Sequence, residues 1–172
     1  MLQIYFGDGK GKTTASIGLL TRASGTGLAT AIIFFDKGGM EYGERAALKQ
    51  LGIRVVATGL DRRNKKTGQF RFGVTTPDRH EARRGLLTAK KLITSGKYSI
   101  VVLDEVLNCI RLNMLPLKSV LTLLKKIGTT EVVLTGRGLP PEIAQIADLI
   151  TEMREVKHYF TKGIPARKGI EY

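Results

Sequence analysis

The sequence predicts a three-layer α/β fold, with a mostly parallel central sheet and helices on both faces. Three observations lead there. Short apolar runs alternate with amphipathic stretches, glycines close several of the helical patterns, and a glycine-rich turn joins the first strand to the first helix. Strands are expected at residues 3–6, 29–35, 54–58, 99–103, 131–135 and 149–155. Their β-branched, continuously apolar character suits strands covered on both faces. Helices are expected at 12–24, 44–51, 78–95, 116–127 and 140–147. Pro116 and Pro140 sit where a first helical turn tolerates proline, and Gly25, Gly52, Gly96 and Gly128 follow the helical patterns.

A chain of 172 residues, 42 % apolar and 25 % charged, suits one folded domain spanning 1–172. Its longest apolar runs, 28–35 and 100–103, fall short of a membrane span. Met1-Leu2-Gln3-Ile4-Tyr5-Phe6 leads into the glycine turn without a charged leader, so a cytoplasmic location is expected. The single cysteine, Cys109, excludes an intramolecular disulfide and a multi-cysteine zinc site.

The net charge of +13 is concentrated. Between Arg54 and Lys91 eleven Lys or Arg face only Asp61, Asp78 and Glu81. Such a stretch attracts phosphate-rich ligands, nucleic acid or an anionic surface, or is simply a solvated face; charge alone does not decide. Residues 59–77 fall within this region, are poorly patterned, and are expected to form a basic loop or lid.

Gly7-Asp8-Gly9-Lys10-Gly11-Lys12-Thr13-Thr14 carries the strongest chemical signal. It follows a strand and opens a helix, the context of a phosphate-binding P-loop in a RecA-like NTPase fold. Glycines turn backbone N–H groups toward phosphate, and the helix amino terminus favours negative charge. Lys12 adds a point charge, and the Thr13 hydroxyl suits Mg²⁺. The pattern departs from the ordinary one: Phe6 stands where the first glycine belongs, and Gly7 comes one place late. Downstream, the strand at 99–103 ends in Asp104 and Glu105. An acid at the end of a strand neighbouring the first lies near the phosphate loop and suits the metal shell. Thr135-Gly136-Arg137-Gly138 ends another strand, where flanking glycines free the Arg137 guanidinium to reach a triphosphate.

These residues resemble the P-loop ATP:corrinoid adenosyltransferases over nearly the whole chain. The resemblance includes the late glycine, Arg22-Ala23-x-Gly25-x-Gly27, Phe35-x-Lys37-Gly38, Gly43-Glu44, Ala57-Thr58-Gly59 and Val102-Leu103-Asp104-Glu105. It continues through Thr135-Gly136-Arg137-Gly138, Ala147-Asp148, Thr151-Glu152-Met153, Val156-Lys157-His158 and Gly169-Ile170-Glu171-Tyr172. The resemblance implies transfer of the 5′-deoxyadenosyl group of ATP to the cobalt of a reduced corrinoid, with triphosphate released. The nucleotide would lie along the loop in the reverse sense. Residues 9–14 would hold the triphosphate, beside Gly7 and Asp8. Thr13 and Glu105 would hold Mg²⁺ or Mn²⁺ with Asp104 in support, Arg22 would place the nucleoside, and Arg137 would face the phosphates. Because Co(I) is the nucleophile, no Ser, Cys or His attack is required. Lys10, Lys12 and Arg137 suit the charge growing on the leaving group.

The resemblance also implies a homodimer, a reductase or flavoprotein electron donor, and neither membrane nor nucleic acid as partner. Leu60 and Arg62 occupy positions where family members often carry an aromatic pair, so Leu60 with Phe70 or Phe72 is expected to form the apolar wall at the corrinoid. Family members also carry an amino-terminal extension over the site; here cover is expected from residues 60–77 or a partner subunit. Two other functions suit parts of the sequence: a nucleic-acid-binding ATPase, and a nucleotide or corrinoid carrier without turnover.

Overall fold

Successive side chains of a strand point to opposite faces, so a strand apolar throughout needs cover on both. The computed structural model, which describes residues 1–39, 42–62, 71 and 73–171, supplies it. The strands are β1 (Leu2–Phe6), β2 (Thr30–Phe34), β3 (Arg54–Ala57), β4 (Ile100–Asp104), β5 (Glu131–Gly136) and β6 (Leu149–Glu152). The helices are α1 (Lys12–Gly25), α2 (Gly43–Gln50), α3 (Thr76–Thr94), α4 (Val106–Arg111), α5 (Leu117–Leu124) and α6 (Pro141–Ala144). A single 3-10 turn follows at Tyr159–Lys162.

On one face, Ile32 and Phe34 of β2 pack with Leu20 and Ala23 of α1 and Leu48 of α2. On the other, Ala31 and Ile33 meet Ala82, Ala89 and Ile93 of α3, while Val132 and Leu134 join the same core as Val120 and Leu124 of α5. The two faces account for the uninterrupted apolar runs. Among the described residues every strand pairing is parallel, in the order β3-β2-β4-β5-β1-β6. The carboxyl ends of β1, β2, β4 and β5 therefore open on one edge of the sheet, where ligands of open α/β folds bind. Among the described residues no helix is long and apolar enough to cross a membrane.

The structure differs from the sequence expectation at five places. α4 was not expected: its six residues are too short for a periodic signal, and its identity comes from burial of Val106, Leu107 and Cys109. The fourth and fifth expected helices are shorter, ending at Leu124 and Ala144, and the last strand stops at Glu152. Finally, β5 lies between β1 and β4, so the strand bearing Asp104 is not the immediate neighbour of the strand that feeds the glycine turn.

The basic segment is fastened to the fold by ion pairs to Asp36 and Asp78. Arg62 pairs with Asp36 at 2.8 Å and donates to the Gly73 carbonyl at 2.9 Å, leaving its side chain 8 % exposed. Arg71 donates to both oxygens of Asp78, at 2.8 and 3.0 Å. The Thr75 backbone N–H and hydroxyl donate to the same carboxylate at 2.7 and 2.6 Å, closing a capping box at the start of α3. Phe70 and Phe72, and residues 63–69 of the expected lid, lie outside the described residues.

The Arg71 guanidinium, with Thr75, holds the Asp78 carboxyl well below the usual carboxylate range. A depressed folded-state value contributes stability above the unfolded carboxylate pKa of about 4, and that contribution is lost as pH falls through the folded value. Asp78→Asn should therefore lower stability at pH 7 by roughly 1–3 kcal/mol through the lost cap and ion pair. The gap between variant and wild type should narrow as the pH is lowered, which thermal melts followed by circular dichroism across the acid range will measure.

Candidate nucleotide site

The first strand ends at Phe6 and the chain turns through Gly7, whose φ of 114° is open to glycine and strained for other residues. A Cβ there would stand 2.5 Å from the Met153 carbonyl oxygen, and one at Gly9 would stand 2.7 Å from the Arg154 carbonyl carbon. The glycines thus let the segment after β6 lie directly on the loop. Gly9 N–H donates to the Met153 carbonyl at 2.7 Å, and Met153 N–H donates to the Phe6 carbonyl at 2.8 Å. Both glycines serve chain-to-chain contact, leaving the downstream half of the loop for a ligand.

That half is built for an anion. α1 starts after Gly11 with no side-chain cap, so its first N–H groups face outward with the positive end of the helix dipole. Lys12 is 7 % exposed, and its ammonium donates to the Gly9 carbonyl at 2.6 Å. Burial pushes its pKa down from the ordinary lysine value, a penalty a phosphate would relieve. Asp8 and Thr14 are exposed at the rim.

Beside the loop lies a buried carboxylate. Asp104 is fully buried and accepts hydrogen bonds from the Thr13 hydroxyl at 2.9 Å and the Thr135 hydroxyl at 2.7 Å on one oxygen. Its other oxygen pairs with the Lys37 ammonium at 2.6 Å, and Lys37 also reaches the Thr13 hydroxyl at 3.2 Å. Thr135 of the intervening β5 bridges the gap that strand order opens, accepting the Glu105 N–H at 2.9 Å as well. Burial opposes the charge on Lys37, but Asp104 and Glu105 outweigh it and raise its pKa. Glu105 has a left-handed φ of 64°, which turns its side chain out of strand register at the start of α4. Burial, then the neighbouring Asp104, raises the Glu105 pKa. Asn108 donates to Glu105 and accepts the Arg137 N–H at 2.8 Å, so one amide orients both groups.

Lys12, Thr13, Asp104, Glu105 and Arg137 therefore meet at the strand ends, and the charge of Arg137 acts on Lys12 and Glu105. Lys10 has a different partner. Its ammonium meets Glu171 and the Tyr159 hydroxyl, both at 2.8 Å, and the Ile170 carbonyl at 3.2 Å. Arg167 also pairs with Glu171. Cover over the start of the turn thus comes from residues 153–171. Arg22 stands exposed on the last turn of α1, about 15 Å along the axis from Lys12, with its charge acting on Tyr5. Leu60 lines a hollow of about 400 Å³ with Thr76, Pro77, His80 and Glu81. Sequence patterns did not single out Lys37, Asn108 or Thr135 as site residues; only the Phe35-x-Lys37-Gly38 match touched Lys37.

The fold and the uncapped, lysine-bearing loop define a P-loop nucleotide-binding protein of the α/β class. The sequence model of the family described as ATP:corrinoid adenosyltransferase BtuR/CobO/CobP matches residues 1–172. A corrinoid adenosyltransferase of Escherichia coli (strain K12) is 34 % identical over 174 aligned positions, covering 98 % of this chain and 84 % of the relative. Corrinoid adenosyltransferase CobA of Salmonella typhimurium is 34 % identical over 176 positions with the same coverage, and a Sinorhizobium corrinoid adenosyltransferase is 36 % identical over 179, covering 100 % of this chain and 80 % of the relative. The chain belongs to the ATP:corrinoid adenosyltransferase family, a family of transferases.

If the carboxyl-terminal segment needs the bare glycine surface, Gly9→Ala should displace it. The expected result is faster proteolysis within residues 153–171 and weaker ATP binding by calorimetry, with the unrelated core at Phe34 still cooperative in a thermal melt. Wild-type proteolysis and affinity in Gly9→Ala would contradict the close approach.

Proposed function

We propose that this chain transfers the 5′-deoxyadenosyl group of ATP to the Co(I) centre of a corrinoid and releases triphosphate. The observation that carries the proposal is an uncapped helix start that brings Thr13 onto Asp104 and Lys12 into the field of Arg137, in a chain of this family. As the Co–C5′ bond forms from the cobalt electron pair, the C5′–O5′ bond breaks and the triphosphate leaves with the electron pair of that C–O bond. Residues 9–14 hold the triphosphate through Lys12 and the backbone N–H groups that follow Gly9, whose own N–H stays with Met153, in the reversed sense that puts the ribose carbon at the acceptor. Arg137 meets the charge that grows on the leaving oxygens. Lys10, once released from Glu171, adds a further positive charge opposite those oxygens, and Arg22 is assigned to the nucleoside. Orientation of C5′ in line with cobalt is the protein's main contribution, because the nucleophile belongs to the substrate.

The oxygen donors of Thr13, Asp104 and Glu105 would hold Mg²⁺, or Mn²⁺ in its place; among the described residues no three His, Cys, Asp or Glu side chains gather as a metal cluster, so nucleotide oxygens would complete the shell. Such a cation, when bound, supplies positive charge opposite the triphosphate. Leu60 contributes to the apolar wall at the corrinoid, and its hollow beside α3 supports that placement. Arg62 is committed to Asp36.

The chain's single cysteine is buried, so Co(I) is expected from an external reductase or flavoprotein. A homodimer in the cytoplasm is the proposed form; the exposed Leu149 and Ile150 on edge strand β6 suit a second copy. A strand-tracking ATPase is less well supported, because Arg62, Arg71 and Arg84 of the basic segment are paired with Asp36, Asp78 and Glu81.

The test is anaerobic incubation with ATP, Mg²⁺ and chemically generated cob(I)alamin. The expected products are a light-sensitive alkyl-cobalt species and inorganic triphosphate in equal amounts. Lys12→Ala and Arg137→Ala should each lower kcat about 10²–10³-fold, as loss of a donor to a developing anion does. Orthophosphate as the sole inorganic product, or no Co–C bond, would overturn the proposal.

A further inference from the structure

Two cations cannot share one buried carboxylate without strong mutual repulsion. In this site the Lys37 ammonium lies 2.6 Å from one Asp104 oxygen and 3.2 Å from the Thr13 hydroxyl, between the groups assigned above to the divalent cation. Asp104 is fully buried and its other oxygen already accepts from Thr13 and Thr135, so Lys37 completes its coordination.

The backbone that carries Lys37 is pinned. Lys37 N–H donates to the Thr58 carbonyl at 3.1 Å, its carbonyl accepts from Arg45, and Gly38 lies against the Leu60 backbone. The side chain is partly open to solvent. It is 18 % exposed, and its ammonium lies 5.5 Å from the centre of the Phe34 ring. A long, unbranched chain on a fixed anchor suits exchange of partners.

We propose that Lys37 is a positioning residue that acts as the site's built-in cation: it occupies the Thr13–Asp104 position until the nucleotide arrives, then moves to the triphosphate, so that divalent-cation binding depends on ATP. Without nucleotide, a divalent ion must displace Lys37 from Asp104 and cost the ammonium its carboxylate partner. With nucleotide, the triphosphate offers that partner. Lys37 thereby makes the two ligands cooperative, and by linkage each must strengthen the other equally. The inference rests on the metal position given under the proposed function.

The probe is Mn²⁺, followed by loss of the free-ion electron paramagnetic resonance signal, with and without ATP and with no corrinoid present. The wild type should bind Mn²⁺ weakly alone and tightly with ATP. Lys37→Met should bind Mn²⁺ alone at least about tenfold more tightly than wild type, the smaller end of what a neighbouring charge does to a carboxylate's affinity for a cation. Lys37→Arg, which keeps the charge, should behave as wild type. Lys37→Gln, whose amide still bonds Asp104, replaces Lys37→Met if that variant fails to fold. Unchanged nucleotide-free affinity in the uncharged variant would overturn the role of Lys37. Asp104→Asn separates the two claims: if wild type with ATP binds Mn²⁺ no better than this variant, the metal position itself is wrong.

Discussion

The site depends on a single buried charge. Asp104 sits at the end of β4 with no solvent exposure, held by two hydroxyls and an ammonium from three other parts of the chain. An ionised carboxylate in that environment costs several kcal/mol unless it is paired and hydrogen-bonded. Without ligand, Thr13, Thr135 and Lys37 therefore hold one another in position. Through them the carboxylate ties the glycine loop, β5 and the turn after β2 into one rigid corner. A ligand that binds there meets a preorganised surface.

The loops around this corner are fixed by similar means. Arg62 crosses from the basic segment to Asp36, and Arg71 reaches Asp78 at the start of α3. Part of the positive charge that looks free in the sequence is therefore spent on internal pairs. The carboxyl-terminal segment closes the other side: Met153 rests on the loop glycines, and Glu171 gathers Lys10, Tyr159 and Arg167. Lys10 is thus tied to the tail at the edge of the glycine loop.

A transferase whose nucleophile is a metal ion on the substrate needs few catalytic side chains. The residues gathered here fit that economy. They are donors and cations aimed at an anion, with Cys109 buried inside the core and its pKa raised by that burial. Neither histidine joins the charge cluster: His80 lines the hollow near Leu60, and His158 caps the turn at Tyr159–Lys162.

Much of the fold and part of the site were legible in the residue order. The strand–turn–helix register around Gly7 and the acids ending an apolar run report local backbone geometry, which adjacent residues determine. The positions of Lys12, Thr13, Asp104, Glu105 and Arg137 followed from it. The rest depended on which strands lie side by side, and spacing along a chain carries no such information. That β5 separates β1 from β4, and that Thr135 consequently bridges Thr13's partner to Glu105, follows from packing the sheet. Lys37 and Glu171 look like ordinary surface charges in one dimension. Only the folded chain, by burying Asp104 and laying the tail on the loop, assigns each of them a partner.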